Sequence, residues 1–223
     1  MELFQDDPLF TACAIIAVLL SGLSKGGFGG GVGFIGVLAL AQVSSPVTAV
    51  AIMLPILCVM DLIGVRAYRR HWHRRSLKVL GIGCMIGTLV GMIAFKWMDD
   101  QAIRLMVGFI AIAFFIDFFR SGGEKAAART FSDPIGYGLG TLAGFTSFVI
   151  HAGLPPVAMY LLPQRLDKRI HVGTIVILFF IINYAKILPY WWLGLFTPAN
   201  LTASLILIPL APIGMFIGLK LNT

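Results

Sequence analysis

Charged side chains are scarce in this sequence. Only 12% of its 223 residues are Asp, Glu, Lys or Arg, whereas a soluble domain usually contains about 25%. With 58% hydrophobic residues and a mean hydropathy of +0.92, too little polar surface remains to coat a water-soluble globule. The shortage of charge therefore excludes a soluble globular domain.

Cysteine is also rare, and its three copies, Cys13, Cys58 and Cys84, lie in separate apolar segments without CxxC spacing. This pattern argues against a metal site and predicts three small buried side chains. No nucleophile–base pair stands out either. Residues 31–36 match GxGxxG, but a dinucleotide site needs a preceding strand. We therefore predict no enzyme, no metal and no cofactor.

Long apolar runs are what the sequence has instead. Residues 47–66, 77–96, 171–192 and 199–219 form candidate spans, and residues 102–119, which hold Arg104 and Asp117, form a weaker one. Each approaches the roughly 20 residues that cross about 30 Å of hydrocarbon. Several such runs argue against one signal peptide ahead of a soluble domain. The sequence predicts an all-α polytopic membrane protein.

Two further apolar segments do not fit a simple span. Residues 8–43 carry one charge, Lys25, and as one helix would be about 54 Å long. Glycines interrupt this segment between residues 26 and 33. Residues 135–163 carry no formal charge and are interrupted at residues 153–156, after His151. Because glycine and proline end helices, each segment either crosses once as a broken helix or turns back as a re-entrant pair.

The distribution of lysine and arginine favours re-entrant pairs. With both segments re-entrant, residues 66–78, 120–129, 165–169 and Lys220 all face the cytoplasm, which puts most of the 17 basic residues inside. Single crossings would move residues 165–169 and Lys220 outside. We therefore expect a multi-pass protein of the bacterial plasma (inner) membrane with cytoplasmic basic loops. The placement of the net charge of +7 then indicates contact with the lipid bilayer and not with nucleic acid.

The second half of the chain repeats the first at an offset of 122 residues. The matched pairs are Gly22 and Gly144, Ser24 and Thr146, Lys25 and Ser147, Gly31 and Gly153, and Asp61 and Asn183. We expect a first repeat at residues 1–120, a cytoplasmic linker at 121–132, and a second repeat at 133–223. Because each repeat crosses an odd number of times, the two are inverted. The equivalent of residues 102–119 falls beyond residue 223, so we expect a last helix to be missing.

Residues 24–33, SKGGFGGGVG, follow the first apolar half-helix, and residues 144–147 and 151–155 form a looser copy with prolines in place of a glycine run. Over nearly the whole chain this pattern resembles the TauE/SafE sulfite exporter family of membrane permeases. The resemblance implies an eight-segment fold of two related halves. It also implies export of sulfite, sulfonates or related small anions.

The broken segments are where an anion is expected to bind. Interrupted helix is tolerated in hydrocarbon only where it lines a cavity, and the N-terminus of a half-helix favours anions. Glycine lets an anion approach the backbone without a Cβ in the way. The predicted substrate-binding residues are Ser24, Lys25, Gly26, Gly29, Gly30, Gly31, Thr146, Ser147, His151 and Gly153.

Several of these residues have a second interpretation. Lys25 either pairs with the substrate, or it pairs with Asp61 or snorkels. His151 donates a hydrogen bond, carries a proton, or is a satisfied interior histidine. Ser and Thr hydroxyls often bond to their own helix carbonyls. Asp61 and Asn183 either line the path and couple protons, or Asp61 meets Arg66.

Lys186 is expected to snorkel to the outer interface, beside an aromatic belt of Tyr190, Trp191 and Trp192.

We therefore predict a transporter that exports a small anion, sulfite or an organosulfonate, through a midplane site between two repeats. An importer of a small carboxylate on the same fold is the first alternative. The others are an intramembrane enzyme that uses Asp61 and Asp117, and a scaffold without transport. The small anion and the bilayer are the expected partners, with a homodimer left open.

Overall fold

A computed structural model describes residues 8–28, 33–99 and 130–222, with scattered positions between 101 and 116. Its helices are α1 (Pro8–Phe28), α2 (Gly33–Val43), α3 (Pro46–Tyr68), α4 (Arg74–Phe95), α5 (Asp133–Ile150), α6 (Leu154–Leu161), α7 (Lys168–Trp192), α8 (Pro198–Leu207) and α9 (Leu210–Asn222). A short 3-10 turn, Leu162–Gln164, follows α6. The predicted all-α class is confirmed for the described residues. Most of the predicted span at residues 102–119 lies outside them.

Within these residues, four helices are long and apolar enough to cross a membrane: α1, α3, α4 and α7. The outward face of α4 shows why these helices require a lipid environment. Ile86, Leu89 and Ile93 follow helical spacing and are each about half exposed. A soluble monomer rarely leaves such a continuous apolar face open to water. The chain is therefore a multi-pass membrane protein.

The predicted span at residues 199–219 is divided between two helices. α8 and α9 are inclined at 45° to one another and together form a fifth candidate span. Pro209 lies at the bend. It lacks an N–H, and its ring clashes with the preceding turn, so it interrupts the helix. Pro209 is visible in the sequence, but because the segment is apolar throughout, its hydropathy predicts one continuous span.

The helix break in the second broken segment lies at residues 151–153, slightly earlier than predicted. α5 ends at Ile150 and is capped by His151, which has a φ of 56°, and Ala152 N donates to Thr146 O at 3.3 Å. This left-handed cap satisfies carbonyls at the end of the helix. Pro155 and Pro156 do not break the chain but begin α6, because proline fits the first turn of a helix.

Both ends of the α5–α6 segment lie beside the N-terminal end of α4. Arg75 Nη2 lies 2.8 Å from Asp133 Oδ1, at the start of α5. Ser76 Oγ donates to Gln164 Oε1 at 2.9 Å, just after α6. The chain therefore enters and leaves this segment at the same end of α4.

Glycines let helices from opposite halves of the chain approach closely. Glycines of α4 and α5 let these two helices pack closely, since a Cβ on Gly83 would lie 3.0 Å from Gly140 C and one on Gly144 would lie 2.0 Å from Cys84 O. Likewise, a Cβ on Gly22 of α1 would lie 2.9 Å from Gly214 Cα of α9. Such close approach of backbones at small residues is typical of helices packed in a membrane. Helices α1–α4 therefore pack closely against helices α5–α9.

Candidate functional site

Where α3 and α7 cross, a buried polar cluster joins the two halves. Lys25 Nζ of α1 forms an ion pair with Asp61 Oδ1 of α3 at 2.5 Å. Asn183 Nδ2 of α7 donates to the other carboxylate oxygen, Oδ2, at 2.7 Å. Lys25 is 9% exposed, Asp61 1% and Asn183 2%. Both oxygens of a buried carboxylate therefore have a donor, as its burial requires.

This cluster decides between the interpretations left open for Asp61. The carboxylate meets Lys25 and Asn183, so the pairing with Arg66 is wrong. Of the alternatives for Lys25, the structure shows its pairing with Asp61. Asp61 and Asn183, which lie 122 residues apart in the chain, contact one another directly. The two halves therefore meet at this point.

Lys186 lies in a second cluster, and its predicted snorkelling to the interface is wrong. Its side chain is 0% exposed. Nζ donates to Ser147 O at 2.9 Å and Ser147 Oγ at 3.1 Å, and lies 2.9 Å from His151 Nδ1. Three acceptors match the three N–H donors of an ammonium group. Among the residues that the structure describes, no carboxylate lies within ion-pair distance of it.

Tyr190, predicted to belong to the aromatic belt, is also fully buried and donates to Phe148 O. Trp191 and Trp192 are 69% and 81% exposed, as a belt requires.

The hydrogen bonds of His151 define its tautomer. Nε2 lies 3.0 Å from Val50 O, which can only accept, so Nε2 carries the hydrogen. Nδ1 then accepts from Lys186, and the ring is neutral. Both nitrogens have partners, as in the satisfied interior histidine considered from the sequence. A left-handed backbone costs a non-glycine residue about 1–2 kcal/mol, so the surrounding contacts hold His151 in place.

Three other predicted residues take part in local packing. Thr146 Oγ1 lies within hydrogen-bond distance of Leu142 O at 2.9 Å and Ala152 O at 3.0 Å. A Cβ on Gly26 would lie 2.4 Å from Met215 O, and one on Gly153 would lie 2.7 Å from Ala143 O. These glycines face neighbouring backbone and not open space.

Ser24 is buried on α1, beside Lys25. Gly29, Gly30 and Gly31 lie outside the described residues. At the start of α6, Pro155 and Pro156 lack N–H groups and leave Leu154 as the N–H donor among the first three positions. The N-terminus of α6 is therefore a weaker anion site than its place in the sequence suggested.

The burial of Lys186 has a signal in the sequence, although hydropathy alone predicts an interfacial lysine. Lys186 follows Asn183 by three residues, which puts both side chains on one face of α7. The sequence already indicates Asn183, which lies 122 residues after Asp61. The face of α7 that carries Asn183 therefore connects the two clusters, and together they hold Lys25, Lys186 and Asp61.

Two tyrosines, one in each half of the chain, make the same kind of hydrogen bond to a backbone carbonyl. Tyr68 Oη donates to Gly26 O at 3.1 Å, and Tyr190 Oη donates to Phe148 O. Both the donors and the acceptors are 122 residues apart. Gly64 faces Val176, as Asp61 faces Asn183, so α3 and α7 run antiparallel.

A family model, described as sulfite exporter TauE/SafE, matches residues 13–223. The match covers nearly the whole chain, including both clusters. No curated protein and no solved structure gives a match.

Proposed function

The chain belongs to the TauE/SafE sulfite exporter family of membrane transporters, and from this we propose that it exports a small oxyanion, sulfite or an organosulfonate. We place this activity in the bacterial plasma membrane, with the basic loops in the cytoplasm. The anion would bind between the two halves, near the crossing of α3 and α7.

The observation that carries this proposal is a pair of buried lysines, one from each half. Lys25 is 9% exposed and Lys186 is 0% exposed, both among apolar membrane helices. An ionisable group at such depth is costly and marks an ion pathway by default. Because both groups are cations with hydrogen-bond donors, they suit an oxyanion. Ser147 and His151, predicted from the sequence to bind substrate, contact one of them directly.

The proposal includes an inverted repeat, residues 1–120 and 133–223, with re-entrant broken segments. The tyrosine pair supports it, since Tyr68 and Tyr190 bond equivalent carbonyls near the C-terminal ends of two antiparallel helices. The contacts of Arg75 with Asp133 and of Ser76 with Gln164 support re-entry of the second segment. Inverted repeats commonly form a substrate site at their interface.

Alternating exposure of this site to the two sides is the proposed mechanism. An inside-negative potential favours exit of an anion by about 2.3 kcal/mol per charge per 100 mV, so export needs no further energy source. Asp61 is held by Lys25 and Asn183, which argues against its use in the intramembrane enzyme considered above.

A flux assay tests the function. Proteoliposomes loaded with sulfite, methanesulfonate or acetate are compared with protein-free liposomes under an imposed inside-negative potential. We expect efflux of sulfite and methanesulfonate well above the protein-free rate and above that of acetate. Faster movement of acetate would favour the carboxylate importer. Rates equal to those of protein-free liposomes for all three anions would reject transport.

Cysteine labelling tests the orientation. Lys168 and Ala199 are both exposed, at the N-terminal ends of α7 and α8. In intact cells, a membrane-impermeant maleimide should label Ala199→Cys but not Lys168→Cys, which should react only after permeabilisation. Labelling of Lys168→Cys in intact cells would show that the second broken segment crosses the membrane once.

A further inference from the structure

The two buried lysines differ in how their charges are balanced. The charge of Lys25 is matched by Asp61, which also accepts from Asn183. Lys186 contacts Ser147 and neutral His151, neither of which carries a negative charge. Within the described part of the chain, these clusters therefore contain two cations and one carboxylate. With both lysines protonated, one positive charge, that of Lys186, has no negative partner.

We infer that Lys186 holds the transported anion and that the two buried clusters together select a singly charged oxyanion. Lys25 and Asp61 neutralise each other, so the anion balances only the charge of Lys186. This inference rests on the proposed function, since it names the valence and the counter-ion of the same site. A monoanion beside Lys186 leaves the buried groups electrically neutral. A dianion leaves a net negative charge in a region of low dielectric, which is costly.

The geometry around Lys186 indicates how an oxyanion enters. Nζ already has three acceptors, so a bound oxygen must replace one of them. Ser147 lies within α5 and supplies both its carbonyl and its hydroxyl. His151 lies at the break between α5 and α6, so a rotation of its side chain can move the ring aside while its backbone hydrogen bond to Ser147 O stays in place. The vacated position lets the anion accept from Lys186 Nζ and from the Ser147 hydroxyl.

The space next to His151 supports this route. A mostly apolar cavity is lined by Val50 of α3 and by Ile150 of α5, the residue before His151, among others. Val50 O is also the acceptor for His151 Nε2. Release of that hydrogen bond would free the His151 ring to move away from Lys186.

The test uses two sulfur oxyanions of different charge. Methanesulfonate is a permanent monoanion, and sulfate is a dianion at neutral pH. In wild-type proteoliposomes, we expect methanesulfonate to move faster than sulfate by on the order of 100-fold, given the cost of an unbalanced buried charge. Each rate is corrected for protein-free liposomes, and each variant is first checked for a monodisperse size-exclusion profile.

Three variants change the charge balance in steps. Asp61→Asn leaves two unbalanced lysines, so we expect the ratio of sulfate to methanesulfonate flux to rise at least about tenfold, because the dianion now neutralises the site. The exchange Asp61→Asn/Asn183→Asp moves the carboxylate to α7 without changing the total charge, and we expect it to return the ratio to the wild-type value. Lys186→Met removes the excess charge, and we expect it to carry neither anion.

The outcomes separate this inference from the proposed function. Equal wild-type rates for sulfate and methanesulfonate, a folded Asp61→Asn with an unchanged ratio, or retained flux in Lys186→Met would each overturn the inference while leaving anion transport intact. Should Asp61→Asn fail to fold, the exchange variant and Lys186→Met decide. Absence of flux for every anion, sulfite included, would instead reject the proposed function.

Discussion

Lys25→Ala is expected to lower the free energy of unfolding by about 3–5 kcal/mol, because removing one partner of a buried ion pair leaves the other charge uncompensated. The partner is Asp61, which is 1% exposed and would keep only the amide of Asn183 as a donor. The same variant should abolish anion flux, since Asp61 would then cancel the charge of Lys186. Thermal unfolding in detergent and methanesulfonate flux measure the two effects.

A double variant distinguishes the two roles considered for Lys25. Lys25→Met/Asp61→Asn removes both charges of the pair and keeps the excess charge on Lys186. We expect it to recover thermal stability, because replacing both partners of a buried pair is often neutral. We also expect it to recover methanesulfonate flux. A stable double variant without flux would show that Lys25 contacts the anion itself. Lys96→Ala, at an exposed lysine, is the matched control and should change stability by less than about 0.5 kcal/mol.

Gly144→Ala is expected to destabilise the protein by about 1–3 kcal/mol or more, as overpacking of a tight contact does. The added Cβ would lie 2.0 Å from Cys84 O and 2.7 Å from Cys84 C, both backbone atoms that a side-chain rotation cannot move. α4 and α5 would have to separate. Because these helices belong to opposite halves, the change should weaken the packing of the two halves against each other.

Gly138→Ala provides the control on the same helix. A Cβ at Gly138 meets nothing within 4 Å, so only helix propensity changes. Alanine is favoured over glycine by up to about 1 kcal/mol in a helix interior, and we expect a small rise in the unfolding temperature. Equal loss of stability in both variants would contradict the close packing of α4 on α5.

The helices that the sequence predicted well depend on local patterns. α3 begins at Pro46, after a Ser45 side chain that accepts from Thr48 N at 3.0 Å, and its apolar run follows directly. Such a cap and such a run are visible in any window of the sequence. The bend at Pro209 was equally local, but the hydropathy of the surrounding residues concealed it.

The site was harder to predict because its contacts join distant residues. The sequence identified Lys25, Asp61, Asn183, Ser147 and His151 as candidates. It gave Lys186 the wrong environment because a lysine near the end of a span usually reaches the interface. The rotation of α7 about its axis determines which way Lys186 points, and that rotation depends on the helices packed around it.

The sequence by itself determined that the chain is an all-helical protein that lies in a membrane and crosses it several times. Composition and periodicity suffice for these features, since hydrocarbon imposes the same length and polarity on every crossing helix. Only the tertiary structure decided that Asp61 neutralises Lys25 and that Lys186 is buried against Ser147. Charge balance depends on distances between side chains far apart in the sequence, and these distances arise only when the helices pack together.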